Sequence, residues 1–376
     1  MILSPYKILN FIHCLVGVVF LISGNLFIYE ADMYKSAIQI FTSIYILIFL
    51  LKESNIINLT MYHLVYFALG SVVFLFCMMN SEIIDYALMK FDAVIFNALI
   101  SAIYFNILIN KITFNDFLKN IIFVGLFLLV PTLVYKYIFG FFQRDIRFLL
   151  NGANVFGWLS GFYALLCLIF LRNKVYFLFF LVFLFCVFWS QSKGALISLF
   201  ISSLLLVLYR NKFSLKAIGK VIMMIPIFFA FKFIASNYFS DSRINAIFRI
   251  IEGNTGDSDY GSVGIRFEMY NSALELFYSN MLTGIGLGDF SIYTNYDIMY
   301  PHNVPLELLA EMGFIGISFF IIFYLLFYTI NKNLYLTIFV IYFFIVCLFS
   351  GDISYLRYSM VFVLLGLFIQ PKYINE

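Results

Sequence analysis

Apolar runs close to the ~20 residues that a helix needs to cross a bilayer recur along nearly the whole chain, divided by short polar breaks. They predict spans at about 8–28, 34–51, 59–80, 93–110, 121–142, 153–171, 175–190, 195–209, 221–235, 312–330, 334–350 and 357–370, twelve in all. The runs are uniformly apolar and do not alternate, so they read as helices and not as barrel strands. One interval breaks the rhythm. Residues 236–311, between the ninth and tenth spans, form the longest polar stretch. The expected fold is an all-α polytopic membrane protein, a single integral membrane domain over 1–376, with one large loop that carries the chemistry.

Within that loop, Ser242 to Ile251 reads as a short amphipathic helix capped by Ser242, its apolar face made by Ile244, Ile247, Phe248 and Ile251. Arg243 and Arg249 on it are positioned for phosphate head groups. A polar connector, Gly253 to Gly264, leads to a second helix from about Val263 to Tyr278. Arg266, Tyr270, Ala273 and Phe277 make one stripe of it, and Val263, Phe267, Leu274 and Tyr278 an adjacent apolar one. Arg266 is thus expected in the first turn, where free N–H groups favour an anion, and its guanidinium fork suits phosphate.

The run Gly284-Ile285-Gly286-Leu287-Gly288 neither follows a strand nor opens a helix, so it predicts a tight turn with positive φ and not a dinucleotide fingerprint. Asn303 is a helix cap and Pro305 fits the first turn. His302 then sits at a helix N-terminus, which favours a neutral imidazole able to accept a proton. Glu307 and Glu311 follow four apart on one helix face. His13 and His63 fall in apolar spans and read as packing residues.

Composition agrees with the pattern: 376 residues, 64% hydrophobic and 11% charged, with a mean hydropathy of +1.00. All five cysteines, Cys14, Cys77, Cys167, Cys186 and Cys347, lie in apolar spans, so no disulfide framework is expected. The first apolar run lacks a clear small-residue cleavage site and reads as a retained helix. The net charge of +3 matters less than its distribution. The breaks on the side of both termini carry Lys7, Lys52, Lys111, Lys119, Arg172, Lys174, Arg210, Lys212, Lys216, Lys220, Lys332 and Lys372, against Glu53, Asp116 and Glu376. By the positive-inside rule that side is cytoplasmic and the large loop extracytoplasmic. Two shorter outward breaks also carry cations, one through Arg144 and Arg147 up to Gly152-Ala153-Asn154, the other through Ser192-Lys193-Gly194.

These motifs in this order resemble the O-antigen ligase and polymerase family of bacterial envelope enzymes. The likeness rests on Gly264-Ile265-Arg266-Phe267, the glycine turn, His302-Asn303, Glu307 to Glu311 and Gly313 to Gly316. Upstream, Gly152-Ala153-Asn154 lacks the family's proline, and Lys193 stands where the family has arginine. The resemblance implies a GT-C-type membrane glycosyltransferase without metal or other cofactor. Its expected location is the bacterial inner membrane, with the active site on the outer face. The expected reaction is inverting transfer of a glycan from undecaprenyl pyrophosphate to an acceptor sugar. The expected partners are that lipid-linked donor, a glycan acceptor, the bilayer and a chain-length regulator protein; nucleic acid is not among them. Arg147, Lys193 and Arg266 would meet the departing pyrophosphate. His302 would activate the acceptor, with Glu307 or Glu311 in reserve. Asn154, Arg243, Arg249, Gly284, Gly286, Gly288 and Asn303 complete the expected substrate-binding set.

A repeat-unit polymerase is the reading adopted, with the ligase that delivers glycan to lipid A-core as its neighbour. A lipid-linked glycan flippase is the alternative of another class. It would predict charges near mid-span and paired repeats, whereas the spans carry chiefly Lys136 and Lys232 and show no repeat.

Overall fold

The computed structural model describes residues 5–27, 32–53, 59–140, 149–190, 192–210, 257–294 and 299–368. Among them the chain is almost wholly helical. The helices in order are α1 (Pro5–Ile22), α2 (Asp32–Lys52), α3 (Met61–Met78), α4 (Ile84–Lys111), α5 (Phe114–Gly140), α6 (Gly152–Ile169), α7 (Lys174–Ser190), α8 (Lys193–Arg210), α9 (Asp257–Ser279), α10 (Val304–Ile330), α11 (Leu334–Phe349) and α12 (Leu356–Phe368). Two short strands, β1 (Leu26–Phe27) and β2 (Leu149–Leu150), pair antiparallel with Leu26 opposite Leu150.

Seven helices (α1, α3, α4, α5, α6, α8 and α10) are long and apolar enough to cross a membrane, and α2, α7, α11 and α12 are shorter apolar helices. This is a multi-pass membrane protein. The expected ninth span, 221–235, lies outside the described residues, as does the surface helix expected at 242–251. Local sequence explains several helix starts. Asn303 Oδ1 accepts from Leu306 N at 3.1 Å, with Pro305 beside it, to open α10; Asn333 Oδ1 accepts from Tyr335 N at 2.9 Å to open α11. An aromatic core holds the centre. Tyr342 donates its hydroxyl to the Trp158 carbonyl at 2.6 Å, and Phe343 stacks on Phe362 with ring centres 5.8 Å apart.

Three expectations change. First, α4 begins at Ile84 and not near residue 93. The turn that leads into it is held from far along the chain: the buried Asp289 carboxylate accepts from Glu82 N at 2.9 Å, Ile83 N at 3.0 Å and the Ser81 hydroxyl at 3.2 Å. Lys90 and Asp92 therefore lie inside a helix and not in a break, and a π-helical turn spans Asp92–Asn97. Second, α9 begins at Asp257, so Arg266 sits well inside the helix, away from the free N–H groups of its first turn. Third, of the apolar stripe expected beside that of Arg266, Phe267 and Tyr278 are exposed; Ala273 and Phe277, on the Arg266 stripe, are buried together with Met269.

The polar breaks sort to opposite ends of the bundle. At one end Lys111 pairs with Glu53 at 2.5 Å, Tyr6 donates to the Lys111 carbonyl, and Arg210 donates to the Ile169 carbonyl at 3.3 Å. Phe368, near the other terminus, stacks on His63 at 3.5 Å. At the opposite end meet the 80–84 turn, the β1–β2 bridge, the start of α8 and residues 280–294 and 299–303 of the loop before α10.

The last of these is locked to α10 by a break in that helix. Gly313 has φ 58 and ψ −155, a region essentially reserved for glycine. The break frees Phe314 N and Ile315 N to donate to the Met281 and Leu282 carbonyls at 2.8 and 3.2 Å. A Cβ at 313 would lie 2.6 Å from the Leu282 carbonyl. Gly313→Ala is therefore expected to lower stability by ~1–3 kcal/mol from backbone strain alone. The measurement is the melting temperature of the detergent-purified protein; an unchanged value would contradict this role for Gly313.

Candidate active site

The first half of α10, from Val304 to the Gly313 break, carries the two glutamates. Both are fully buried and share one cation. Lys90 Nζ donates to Glu307 Oε1 at 2.6 Å and to Glu311 Oε2 and Oε1 at 2.7 and 2.9 Å. All three donors of the ammonium are used. It also lies 4.3 Å from the centre of the Tyr86 ring. Glu311 is saturated further by Gly288 N at 2.7 Å. Glu307 Oε2 is buried with no partner among the described residues. Tyr86 carries the network outward by donating to Asp352 Oδ2 at 2.7 Å, and Asp352 Oδ1 accepts from Ser354 N.

The glycine turn has the positive φ expected of it: 70° at Gly284, 122° at Gly286 and 90° at Gly288. What it approaches is protein. Ile285 N donates to the Ala310 carbonyl at 2.9 Å and Gly286 N to the Glu311 carbonyl at 3.2 Å. A Cβ at Gly286 would lie 2.8 Å from the Asn80 carbonyl oxygen. The glycines let the loop press against α10 and α4, so the surface they open to is backbone.

Arg266, half-buried, donates Nη1 to the Phe349 carbonyl at 3.3 Å, and Asn303 donates Nδ2 to the Leu348 carbonyl at 3.2 Å. These are last-turn carbonyls of α11, which have no partner within their helix. Among the described residues one N–H of the Arg266 guanidinium is engaged in this way. Lys193 opens α8 close by: at Gly194, the next residue, a Cβ would lie 2.9 Å from Phe349 Cβ. Asn154 lies in the first turn of α6, and Gly157, a turn later, packs on Ser190 and Ser192. Arg266, Lys193, Asn154, His302 and Asn303 thus gather at one end of the bundle. Arg147, Arg243 and Arg249 lie outside the described residues.

His302 stands at the junction of these groups. It is one of two non-glycine residues with positive φ among the described residues, at 59°. Its ring meets Tyr300 edge-on with centres 4.6 Å apart, and its Nδ1 is buried with no partner among the described residues. Burial, and then the Arg266 charge, push its pKa down to about 4 against an opposing pull from Asp352. The imidazole is therefore neutral at pH 7, as expected, but the leading cause is desolvation and not the helix end. Tyr300 is pushed up from its ordinary value by burial and then by Asp352 and Glu307, while Arg266 and Lys90 act the other way. Arg266, His302, Tyr300, Asp352, Glu307 and Lys90 thus form one electrostatic neighbourhood.

The sequence reading missed Lys90, Asp352, Tyr86 and Asp289. Lys90 and Asp352 fell in segments read as breaks between spans. A single lysine within the largely apolar run 83–105 was the available signal for the first.

No curated protein matches the chain. The sequence model of one family, described as O-antigen ligase, matches residues 178–321. That stretch holds Lys193, Arg266, the glycine turn, His302 and both glutamates, and over it the chain is similar to the O-antigen ligase family.

Proposed function

We propose that the chain is a polymerase of undecaprenyl-pyrophosphate-linked oligosaccharide repeat units, acting at the outer face of the bacterial inner membrane with both termini cytoplasmic. The observation that carries the reading is His302. A neutral imidazole with an unpartnered buried ring nitrogen, held in a strained backbone conformation beside a partly engaged arginine, suits proton acceptance next to an anion. In the proposed step the acceptor hydroxyl oxygen attacks the anomeric carbon of the donor sugar from the face opposite the pyrophosphate. The bond from that carbon to the pyrophosphate oxygen breaks, and its electron pair leaves on the pyrophosphate. The hydroxyl proton passes to His302. Arg266 and Lys193 meet the departing charge. Glu307, with one oxygen unclaimed, is the reserve base; Glu311, saturated by Lys90 and Gly288, serves position.

The charges inside α4 and α10 support an enzyme over a flippase. Lys90, Glu307 and Glu311 lie within two turns of the helix ends at the loop side and Asp92 within a turn more, so none is near mid-span. The test is Arg266→Lys, with turnover of a lipid-linked repeat unit measured on folded, detergent-matched proteins. Loss of the fork is expected to lower turnover about 10- to 100-fold, the worth of one charge-assisted hydrogen bond of ~1.5–3 kcal/mol. Wild-type turnover in Arg266→Lys would remove Arg266 from the leaving-group site.

A further inference from the structure

A second site lies on the other side of α4 from the Lys90 cluster. A cleft of about 450 Å³ runs between the end of α1, α2 and the π-helical turn of α4, within the ~300–1,000 Å³ of small-molecule sites. Ser23, Gln39, Ser43, Asp92 and Asn97 line it, amid Phe20, Phe96 and aliphatic side chains. Such polarity is unexpected on the flank of a membrane helix. Asp92 is exposed in a helix apolar enough to span a bilayer, where a carboxylate is costly unless it serves a purpose. Asn97 is 7% exposed; its Nδ2 donates to the Phe20 carbonyl at 3.0 Å, and its Oδ1 is buried without a partner among the described residues. Both residues belong to the π-helical turn, a distortion that recurs at functional sites.

The chemistry of the lining selects the ligand class. Among the described residues no Lys, Arg or His lines the cleft, and those that do offer no cation to a phosphate or pyrophosphate. A carboxylate, two amides and two hydroxyls are hydrogen-bonding partners for sugar hydroxyls, and the exposed ring of Phe96 offers an apolar face for a pyranose. The cleft also communicates with the catalytic end. Asp92 interacts electrostatically with Arg357. Arg357, buried, donates Nη1 to the Ser354 carbonyl at 3.2 Å, next to the Asp352 network, and Nε to the Leu21 carbonyl at 3.0 Å.

We propose that this cleft binds an uncharged sugar of the acceptor glycan, its hydroxyls taken by Asp92, Asn97, Ser23 and Gln39. The proposal rests on the glycosyl-transfer reading for the source of the sugar, but binding is read without turnover. A photo-crosslinking amino acid replaces Leu47, at the cleft wall, in the full-length protein in nanodiscs. The probe is the lipid-linked repeat unit isolated from cells that make this chain. The experiment is run in wild-type and His302→Ala backgrounds, and with Phe123, an exposed residue of α5, as the control position. Adducts that stain for glycan are expected at 47 in both backgrounds, and not at 123. Asp92→Asn and Gln39→Leu, each nearly conserving shape, are expected to reduce them at least ~10-fold, the worth of ~1.4 kcal/mol. Adducts carrying phospholipid alone, equal labelling at 123, or labelling indifferent to both substitutions would overturn the site. Glycan adducts without any transfer by the wild-type protein would leave the cleft standing and count against the transfer reading.

Discussion

His302→Ala is expected to lower turnover of a lipid-linked repeat unit by ~10²–10⁴-fold, the usual worth of a positioned general base, while the protein still folds. Folding should survive because the ring makes no hydrogen bond through Nδ1 among the described residues and packs mainly on Tyr300. His302→Gly sharpens the test. With φ at 59° the histidine sits where glycine is at ease, and release of that strain is expected to raise stability by up to ~1–3 kcal/mol. Turnover should nevertheless be as low as in His302→Ala. A variant that is more stable and less active marks strain kept for function.

The pH profile follows with its sign. The neutral imidazole is the active form, and burial with the Arg266 charge holds its pKa near 4. Activity per free enzyme should stay level through pH 6.5 and fall only as pH approaches 4. An acid limb at the ordinary histidine value, or near-normal activity in His302→Ala, would show that the imidazole is not the base.

Lys90→Met is expected to destabilise the protein by ~3–5 kcal/mol, the cost of leaving buried charge without its partner. The side chain is fully buried and its ammonium engages two equally buried carboxylates. Methionine fills a similar volume and supplies no donor. Glu307 and Glu311 would then face each other uncompensated, and the contact that ties α4 to the first half of α10 would be lost. Restoring neutrality separates charge from packing: Lys90→Met with Glu307→Gln and Glu311→Gln should regain much of the stability, since a buried ion cluster replaced by a neutral one is often tolerated. The measurement is melting temperature in detergent for the single and triple variants. A Lys90→Met protein as stable as wild type, or a triple variant no better than the single, would contradict the account of the cluster.

The legibility of the chain follows a physical division. Apolar runs and local caps made α10 and α11 readable: Asn303 and Asn333 are adjacent in sequence to the N–H groups they satisfy. The positive φ of the three glycines was readable for the same reason, because the residue type itself permits the conformation. The start of α4 was not readable, since Asp289, which holds the 81–83 turn leading into it, arrives from beyond position 280. Lys90 was hidden by the same fact. A lysine at the edge of an apolar run ordinarily marks the membrane surface; only the three-dimensional meeting with Glu307 and Glu311 makes it interior. The helix start near Arg266 was not readable because Gly261 and Gly264 ordinarily mark a connector, yet α9 runs through both. In the site, residue types pointed to His302 and Arg266. Sequence alone could not separate the saturated Glu311 from Glu307 with its unclaimed oxygen, since the two are equivalent by spacing.

Incubation of the purified protein with lipid-linked repeat units as the sole glycan source tests the central claim most directly. The same lipid-linked compound then serves as donor and acceptor, and no lipid A-core is present to accept. The account predicts a ladder of lipid-linked chains growing by whole repeat units, with release of undecaprenyl pyrophosphate, and no ladder from His302→Ala. Absence of growth from folded wild-type protein, with transfer appearing only when lipid A-core is added, would contradict it and make the chain a ligase.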